Sequence, residues 1–174
     1  MTSSVEDIKQ LREETSCGVI ECKKALEEAK GDFQKAKEIL RKRGLEMAAK
    51  KADRTAKEGR VEAYIHHGNK IGVIVEVNCE TDFVARNEDF MVFTRDLAMH
   101  IAALNPKYVK KEDVPADILI KEPDKDAFIK AHCLLLQPFV KDPGKTIGDY
   151  LNELIAKIGE NIQIGRFIRF KVGE

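Results

Sequence analysis

The 174-residue sequence contains no tryptophan, and aromatic residues make up only 6% of it. It also has no net charge, since 30 basic residues balance 30 acidic ones, whereas dedicated nucleic-acid-binding proteins usually carry a basic surplus. No run approaches the roughly 20 apolar residues that a membrane helix needs. The first residues show neither the pattern of a secretory signal peptide nor that of an organellar transit peptide. We therefore expect a cytoplasmic protein that binds no membrane and no nucleic acid directly.

Cysteine is scarce and its spacing is uninformative. It occurs as Cys17, Cys22, Cys79 and Cys133, with no CxxC pair and no zinc-finger spacing to histidine. In a cytoplasmic protein such thiols are reduced, and a buried cysteine behaves as a small apolar residue. We expect that role for all four.

Other reactive groups form no recognisable site. His66 and His67 are adjacent in a predicted strand, so they point to opposite faces and cannot readily share a metal. The run Pro143–Thr146 (PGKT) resembles the end of a phosphate-binding loop, but Phe139 occupies the position of the first glycine. A helix cap after a turn is the better interpretation. We expect no metal, no cofactor and no enzymatic chemistry.

Residues 1–45 carry three apolar runs at helical spacing, which predict a three-helix bundle. Ser4 with Asp7 forms a box-like cap for the first helix, and Asp32 caps the third. Gly44 is expected to end the third helix. A unit of this size is close to the lower limit for a self-sufficient core.

Residues 46–60 are rich in alanine, lysine and arginine, and their thin apolar stripe predicts a solvated helical linker. Residues 41–60 hold eight basic and three acidic residues, a local charge of +5. An RNA-binding stretch is the alternative, but it lacks the interleaved aromatic residues that stack on bases.

Residues 61–174 show strand and helix periods in alternation, which predicts an α+β core. Val61, Ala63 and Ile65 alternate with polar residues as a half-buried strand, and a Gly68-Asn69 turn leads to a second strand over 71–77. Helices are predicted after an Asn87 cap, near 124–134, and over 147–158, where Gly159 ends the helix. A third strand follows over 162–172, and Arg166 interrupts its predicted apolar face, which consists of Ile162, Ile164, Ile168, Phe170 and Val172. The whole chain is thus a three-helix bundle, a linker and a three-stranded antiparallel sheet covered by helices.

The segment Asn78–Arg86 (NCETDFVAR) connects the hairpin to the next predicted helix. Such connections lie at the surface, where binding residues concentrate. Phe83 is the aromatic residue of this acidic loop, and two interpretations are open. It folds back as a lid on the core, or it anchors the chain in a partner's pocket beside a carboxylate.

Two long motifs resemble the signatures of bacterial elongation factor Ts. They are Glu76–Arg86 (EVNCETDFVAR) and Leu11–Leu26 (LREETSCGVIECKKAL), in the order expected for that family. The resemblance covers nearly the whole chain, because three later segments also match: Gln137–Val140, Ile158–Ile162 and Arg166–Phe170. With one half-core the chain resembles the short form of the family, and the stretch between Pro106 and Gln137 is shorter than usual.

The resemblance implies a guanine-nucleotide exchange factor that promotes GDP release from elongation factor Tu. It further implies a ubiquitin-associated-like fold for residues 1–45 and a loop, Thr81–Val84, that inserts into the partner's nucleotide domain and disturbs its Mg²⁺ site indirectly. Mg²⁺ and GDP or GTP belong to the partner. The implied contact residues are Thr81, Asp82, Phe83, Val84, Arg12, Val19, Ile20, His67 and Gly68.

Two other functions remain open from the residues alone. The N-terminal helices could recognise a ubiquitin-like domain, in which case residues 1–54 alone bind ubiquitin. Residues 41–60 could bind RNA, in which case affinity falls steeply with salt. A homodimer is expected in addition, because short forms pair two subunits and a three-stranded sheet with open edges gains from pairing. Residues 61–174 would be the dimerisation domain.

Overall fold

The computed structural model describes residues 4–15 and 17–174. The helices are α1 (Val5–Thr15), α2 (Val19–Glu28), α3 (Phe33–Lys51), α4 (Asp82–Ala85), α5 (Glu88–Leu104), α6 (Ala116–Lys121), α7 (Lys125–His132) and α8 (Ile147–Ile158). The strands are β1 (Glu58–Ile65), β2 (Ile71–Cys79), β3 (Pro138–Phe139), β4 (Asp142–Thr146) and β5 (Gln163–Lys171). The predicted α+β class is confirmed. Within the described ranges, none of the helices has the length and apolar character needed to cross a bilayer.

The chain divides into two compact units. The helical unit consists of Met1–Asp53 and Asn152–Glu160, and the sheet unit consists of Arg54–Leu151 and Asn161–Glu174. The predicted domain limits at 45 and 60 stay a prediction.

Local capping signals start the helices of the helical unit. The Ser4 backbone N–H donates to Asp7 Oδ2 and the Asp7 N–H donates to Ser4 Oγ, each at 3.0 Å, so the predicted capping box is confirmed. Asp32 Oδ1 accepts from the Lys35 N–H at 3.1 Å and caps α3, also as predicted. The three helices enclose one apolar cluster: Leu11, Cys22, Ala25, Leu26, Ala29, Ala36 and Leu40.

Gly44 does not end α3, and this prediction is wrong. The helix continues to Lys51, and Leu40, Gly44 and Ala48 form a buried stripe at four-residue spacing. A Cβ at Gly44 would lie 3.7 Å from the Cβ of Ala156, so this glycine is a packing position inside a helix. The predicted linker helix over 46–60 is therefore only partly present, since α3 stops at Lys51 and β1 begins at Glu58.

The sheet unit is built on three antiparallel strands in the order β1–β2–β5. The hairpin of β1 and β2 turns at Gly68-Asn69, where both residues have positive φ, as predicted from sequence. Helix α5 packs on β1 and β2 and is capped by Asn87, whose side chain accepts from the Asp89 N–H at 2.9 Å. The core between α5 and β2 contains the following residues: Val73, Val75, Val77, Phe90, Phe93, Leu97 and Ile101.

Strand β1 is present, but its apolar residues face solvent and not the core as expected. Val61 and Ile65 are 65% and 62% exposed, while Glu62 and Tyr64 lie on the half-buried side. Polar partners make this arrangement stable, because Glu62 Oε2 accepts from Arg60 Nε at 2.8 Å and from the buried Thr94 hydroxyl of α5 at 3.4 Å. Packing under α5 thus turns the more polar face of β1 inward and leaves Val61 and Ile65 on the outer face of the sheet.

A bulge in β5 changes which residues face the core. Ile164 pairs with Val77 and Phe167 pairs with Val75, so Gly165 and Arg166 together oppose Glu76. Ile164 therefore faces the core, whereas Ile168 and Phe170 beyond the bulge are 48% and 64% exposed. The expected single apolar face over 162–172 is wrong for this reason.

The proline-rich stretch after α5 forms short elements. The helix predicted near 124–134 is confirmed as α7. The Pro143–Thr146 run lies in the hairpin strand β4 and ends in a helix cap, since Thr146 Oγ1 accepts from the Asp149 N–H at 3.0 Å at the start of α8. Gly159, with φ +89°, follows the end of α8 as predicted.

Candidate partner-binding site

The Thr81–Val84 segment forms a single helical turn directly after the central strand. Thr81 caps α4, because its Oγ1 accepts from the Val84 N–H at 3.4 Å. Successive side chains of this turn have opposite environments: Phe83 is 81% exposed, whereas Val84 is 9% exposed. The interpretation of Phe83 as a lid on the core is therefore wrong. Phe83 is a large apolar group presented to solvent on a short, capped turn.

The carboxylate beside Phe83 is held in place by its own helix. Asp82 Oδ2 lies 3.0 Å from Arg86 Nη2, and both side chains are well exposed. An exposed ion pair of this kind stabilises the fold very little, about 0–1 kcal/mol. The pair does place the Asp82 carboxylate on the side of Arg86, within the same turn as Phe83.

His67 and Gly68 lie in the β1–β2 turn, and both are exposed. Strand β2 has nine residues and separates this turn from the Phe83 turn. At a rise of about 3.4 Å per residue β2 alone spans roughly 27 Å, and the two sites lie beyond its opposite ends. They can contact one partner only on two distinct surfaces of it.

The three predicted contact residues of the helical unit are all exposed. Val19 and Ile20 open α2 and are 52% and 68% exposed, and Arg12 lies in the last turn of α1. Arg12 lines a cavity of about 540 Å³ together with Gly18 and Met47. The start of α2 thus exposes two adjacent apolar side chains, and Arg12 shares a cavity with Gly18, the residue before them.

The titratable groups of the described residues assemble no reactive centre. Burial raises the pKa of the Cys17 and Cys22 thiols, which keeps them protonated and weakly nucleophilic. All four cysteines are free. Across 4–15 and 17–174, no cluster of three or more His, Cys, Asp or Glu side chains is arranged to hold a metal. What the arrangement offers is contact surface.

A set of contacts at the base of the Phe83 turn was not predicted from the sequence. The Asn161 N–H donates to Glu80 Oε1 at 2.6 Å, and Asn161 Nδ2 donates to the Arg54 carbonyl oxygen at 2.7 Å. Arg54 Nη1 in turn lies 3.6 Å from Glu80 Oε1. The three residues come from three separate segments, and no local pattern in the sequence points to their meeting.

The Phe83 turn and the start of α2 are thus candidate contact surfaces among the described residues. The sequence model of the family described as elongation factor TS matches residues 4–126 and 124–174. Elongation factor Ts of Caldanaerobacter subterraneus subsp. tengcongensis is 52% identical over 194 positions, which cover 98% of this chain and 97% of the relative. That of Acetivibrio thermocellus is 53% identical, with 98% and 90% covered. The chain belongs to the elongation factor Ts family.

The same comparisons bear on the length of the central stretch. The alignment with the first of these relatives spans 194 positions, 20 more than this chain has residues, so that relative carries at least 20 residues with no counterpart here. The family match divides at residues 124–126, at the start of α7. This division agrees with the shortening expected between Pro106 and Gln137.

Proposed function

We propose that this protein is a guanine-nucleotide exchange factor that binds elongation factor Tu with GDP and promotes GDP release during translation elongation in the cytoplasm. Membership of the elongation factor Ts family supports this proposal. The observation that carries it is the exposure of Phe83, which is 81% accessible on a turn whose neighbouring residue is buried.

In the proposed mechanism, Phe83 enters between packed helices of the partner's nucleotide domain. Burying a phenylalanine side chain contributes about 1.5–3 kcal/mol, which offsets part of the cost of separating those helices. The nucleotide phosphates and Mg²⁺ hold each other in the partner, so a small displacement of the Mg²⁺ site weakens GDP as well. Asp82 stands beside Phe83 and supplies the polar contact at the rim.

The remaining site residues have supporting roles in this proposal. Thr81 caps the turn and Val84 holds it by packing into the core, so both act by fixing Phe83. Arg12, Val19 and Ile20 rest on the same nucleotide domain through the ubiquitin-associated-like helices. His67 and Gly68, at the far end of β2, contact the partner's third domain.

Exchange by this route requires no covalent chemistry. A factor that weakens GDP binding by a given ratio is itself bound more weakly to the GDP form by the same ratio, because the two equilibria are linked. Binding energy directed at the nucleotide-free partner is then sufficient. The surfaces described above supply contacts of this kind.

The proposal is tested by stopped-flow release of a fluorescent GDP analogue from elongation factor Tu. We expect substoichiometric amounts of this protein to accelerate release strongly. Phe83→Ala should lose about 30-fold in rate, since a central aromatic anchor is typically worth about 2 kcal/mol. Ile120→Ala is the matched control, because Ile120 is 75% exposed on α6 and should leave the rate unchanged. If the Phe83→Ala protein accelerates GDP release as much as the parent does, the proposed entry of Phe83 between the partner's helices is refuted.

We further propose that two copies of the chain pair through the outer face of the sheet. This face comprises Val61, Ile65, Ile74, Ile168 and Phe170, each 48–65% exposed. The strand register places Ala63, Ile74 and Ile168 on one line across the three strands. An apolar surface of that width is unusual for a monomer, and a two-fold axis would bury it against itself.

Sedimentation velocity tests the pairing. We expect the parent to sediment at twice the mass of one chain, and Ile74→Lys to sediment as a single chain, because lysine would sit at the centre of the buried face. Ile120→Lys adds the same charge elsewhere and should leave the dimer intact. A parent that sediments as a single chain contradicts this part of the proposal.

A further inference from the structure

Glu80 immediately precedes the Phe83 turn, and its carboxylate is bound to a segment far along the chain. Its Oε1 accepts from the Asn161 N–H at 2.6 Å, in the connection between α8 and β5. We infer that Glu80 and Asn161 are positioning residues, which hold the Thr81–Val84 turn in the orientation that presents Phe83. This inference rests on the exchange function proposed above.

The location of this bond explains its effect on the turn. The pairing of β2 with β5 extends to Asn78 opposite Gln163, and both Glu80 and Asn161 lie two residues beyond that pair. The hydrogen bond of the Glu80 side chain therefore joins these two segments at a point where the backbone pairing of β2 with β5 has ended. It fixes the starting point of the turn at one residue before Thr81.

Burial and charge make the bond strong. Asn161 is only 2% exposed, so truncating Glu80 removes the acceptor that lies 2.6 Å from a buried N–H. A charged acceptor at this short distance gives a stronger bond than a neutral pair. Asn161 is itself held, because its Nδ2 donates to the Arg54 carbonyl oxygen at 2.7 Å. The support of the turn thus reaches from Arg54 through Asn161 to Glu80.

Other contacts keep the turn from being lost altogether when Glu80 is changed. Cys79 Sγ donates to the Thr81 carbonyl oxygen at 3.1 Å, and Val84 remains packed in the core. The expected consequence is a turn that samples several orientations within an intact fold. Phe83 would then reach its place in the partner less often.

The test measures kcat/KM for GDP release from elongation factor Tu with Glu80→Ala, Glu80→Gln and Asn161→Asp proteins. Glu80→Ala should lower kcat/KM about tenfold, the scale of one hydrogen bond to a charged group. Glu80→Gln keeps an acceptor oxygen for the Asn161 N–H but removes the charge, so its loss should be smaller than that of Glu80→Ala, about threefold. Asn161→Asp replaces the donating Nδ2 with an oxygen that faces the Arg54 carbonyl oxygen. Its kcat/KM should therefore fall about tenfold, like that of Glu80→Ala. Thermal unfolding of each variant checks that it is folded.

A double-mutant cycle separates positioning from general destabilisation. If Glu80 acts through Phe83, adding Glu80→Ala to Phe83→Ala should cost no more than about twofold further, because the group being positioned is already gone. An equal tenfold loss in both backgrounds would overturn the inference. So would parent-like activity of Glu80→Ala, or a Glu80→Gln loss as large as that of Glu80→Ala.

The same experiment distinguishes the inference from the function on which it rests. A parent that does not accelerate GDP release overturns both. A parent that does so, with Phe83→Ala impaired and Glu80→Ala unimpaired, overturns the positioning role and leaves the exchange function standing.

Discussion

The buried His100 gives the protein a pH-dependent stability that can be worked out from its contacts. The Val140 N–H donates to Nδ1 at 3.3 Å, so Nδ1 is an acceptor and the proton lies on Nε2, facing Gln137 Oε1 at 3.0 Å. Gln137 Nε2 donates to the Ala131 carbonyl oxygen at 2.6 Å, which orients the amide oxygen towards the ring. A second proton on His100 would make Nδ1 a donor, and this donor would face the Val140 N–H, which is also a donor.

Burial lowers the pKa of His100 below its usual 6.5, and the hydrogen bond to Gln137 opposes this only in part. Asp96, one turn earlier on α5, is paired with Lys141 at 2.6 Å. Below pH 6.5 the unfolded chain therefore binds a proton at His100 that the folded chain does not bind. The free energy of unfolding falls as the pH drops below this value. One proton is worth about 1.4 kcal/mol per pH unit, so the loss between pH 6.5 and 5 reaches at most about 2 kcal/mol.

Urea denaturation at pH 7, 6 and 5 measures this loss. The parent should lose more stability across the series than His100→Gln, which has no imidazole to titrate at this position, whatever the absolute stability of that variant. His67→Gln is the control, since His67 is exposed and should keep the parent's slope. The carboxyl groups whose pKa the fold lowers, such as Glu76, add a smaller loss near pH 5 that the parent and His100→Gln share. Equal slopes for the parent and His100→Gln would refute the reasoning.

Two further predictions concern backbone geometry and thiol access. Gly59→Ala should cost about 2–3 kcal/mol by urea denaturation, because its Cβ would lie 2.3 Å from the Val77 carbonyl oxygen, whereas Gly68→Ala, with φ +89° and open space, should cost about 1 kcal/mol. Similar losses for both would contradict the steric argument. Iodoacetamide should modify Cys17 first in the native protein, since the other three cysteines are fully buried, and mass spectrometry should find all four modified in urea. Early modification of Cys22 would contradict the buried placement.

Signals that act within a few residues were predictable from sequence. The Ser4–Asp7 capping box, the Asp32 and Asn87 caps, the Gly68-Asn69 turn and the end of α8 at Gly159 were each expected and each confirmed. These features satisfy backbone groups of their immediate neighbours or supply a positive φ locally. Their energetics do not depend on the rest of the chain.

Features that depend on distant residues were not predictable in this way. Gly44 has the local pattern of a helix end, but Ala156 packs beside it and the helix continues. Both faces of the sheet carry apolar residues, so the alternation in β1 could not identify the inner face. The bulge at Gly165 and Arg166 reverses the faces of β5, and only the pairing with β2 reveals it.

The candidate site shows the same division. The sequence by itself determined the family resemblance, the order of the elements and the presence of Phe83 in a loop after a strand. Only the tertiary structure decided that Phe83 is exposed, because Val84 is buried in the core and the Thr81 cap then turns the preceding side chain outward. It also decided that Glu80 and Asn161 meet, since the pairing of β2 with β5 brings together residues that are remote in the chain.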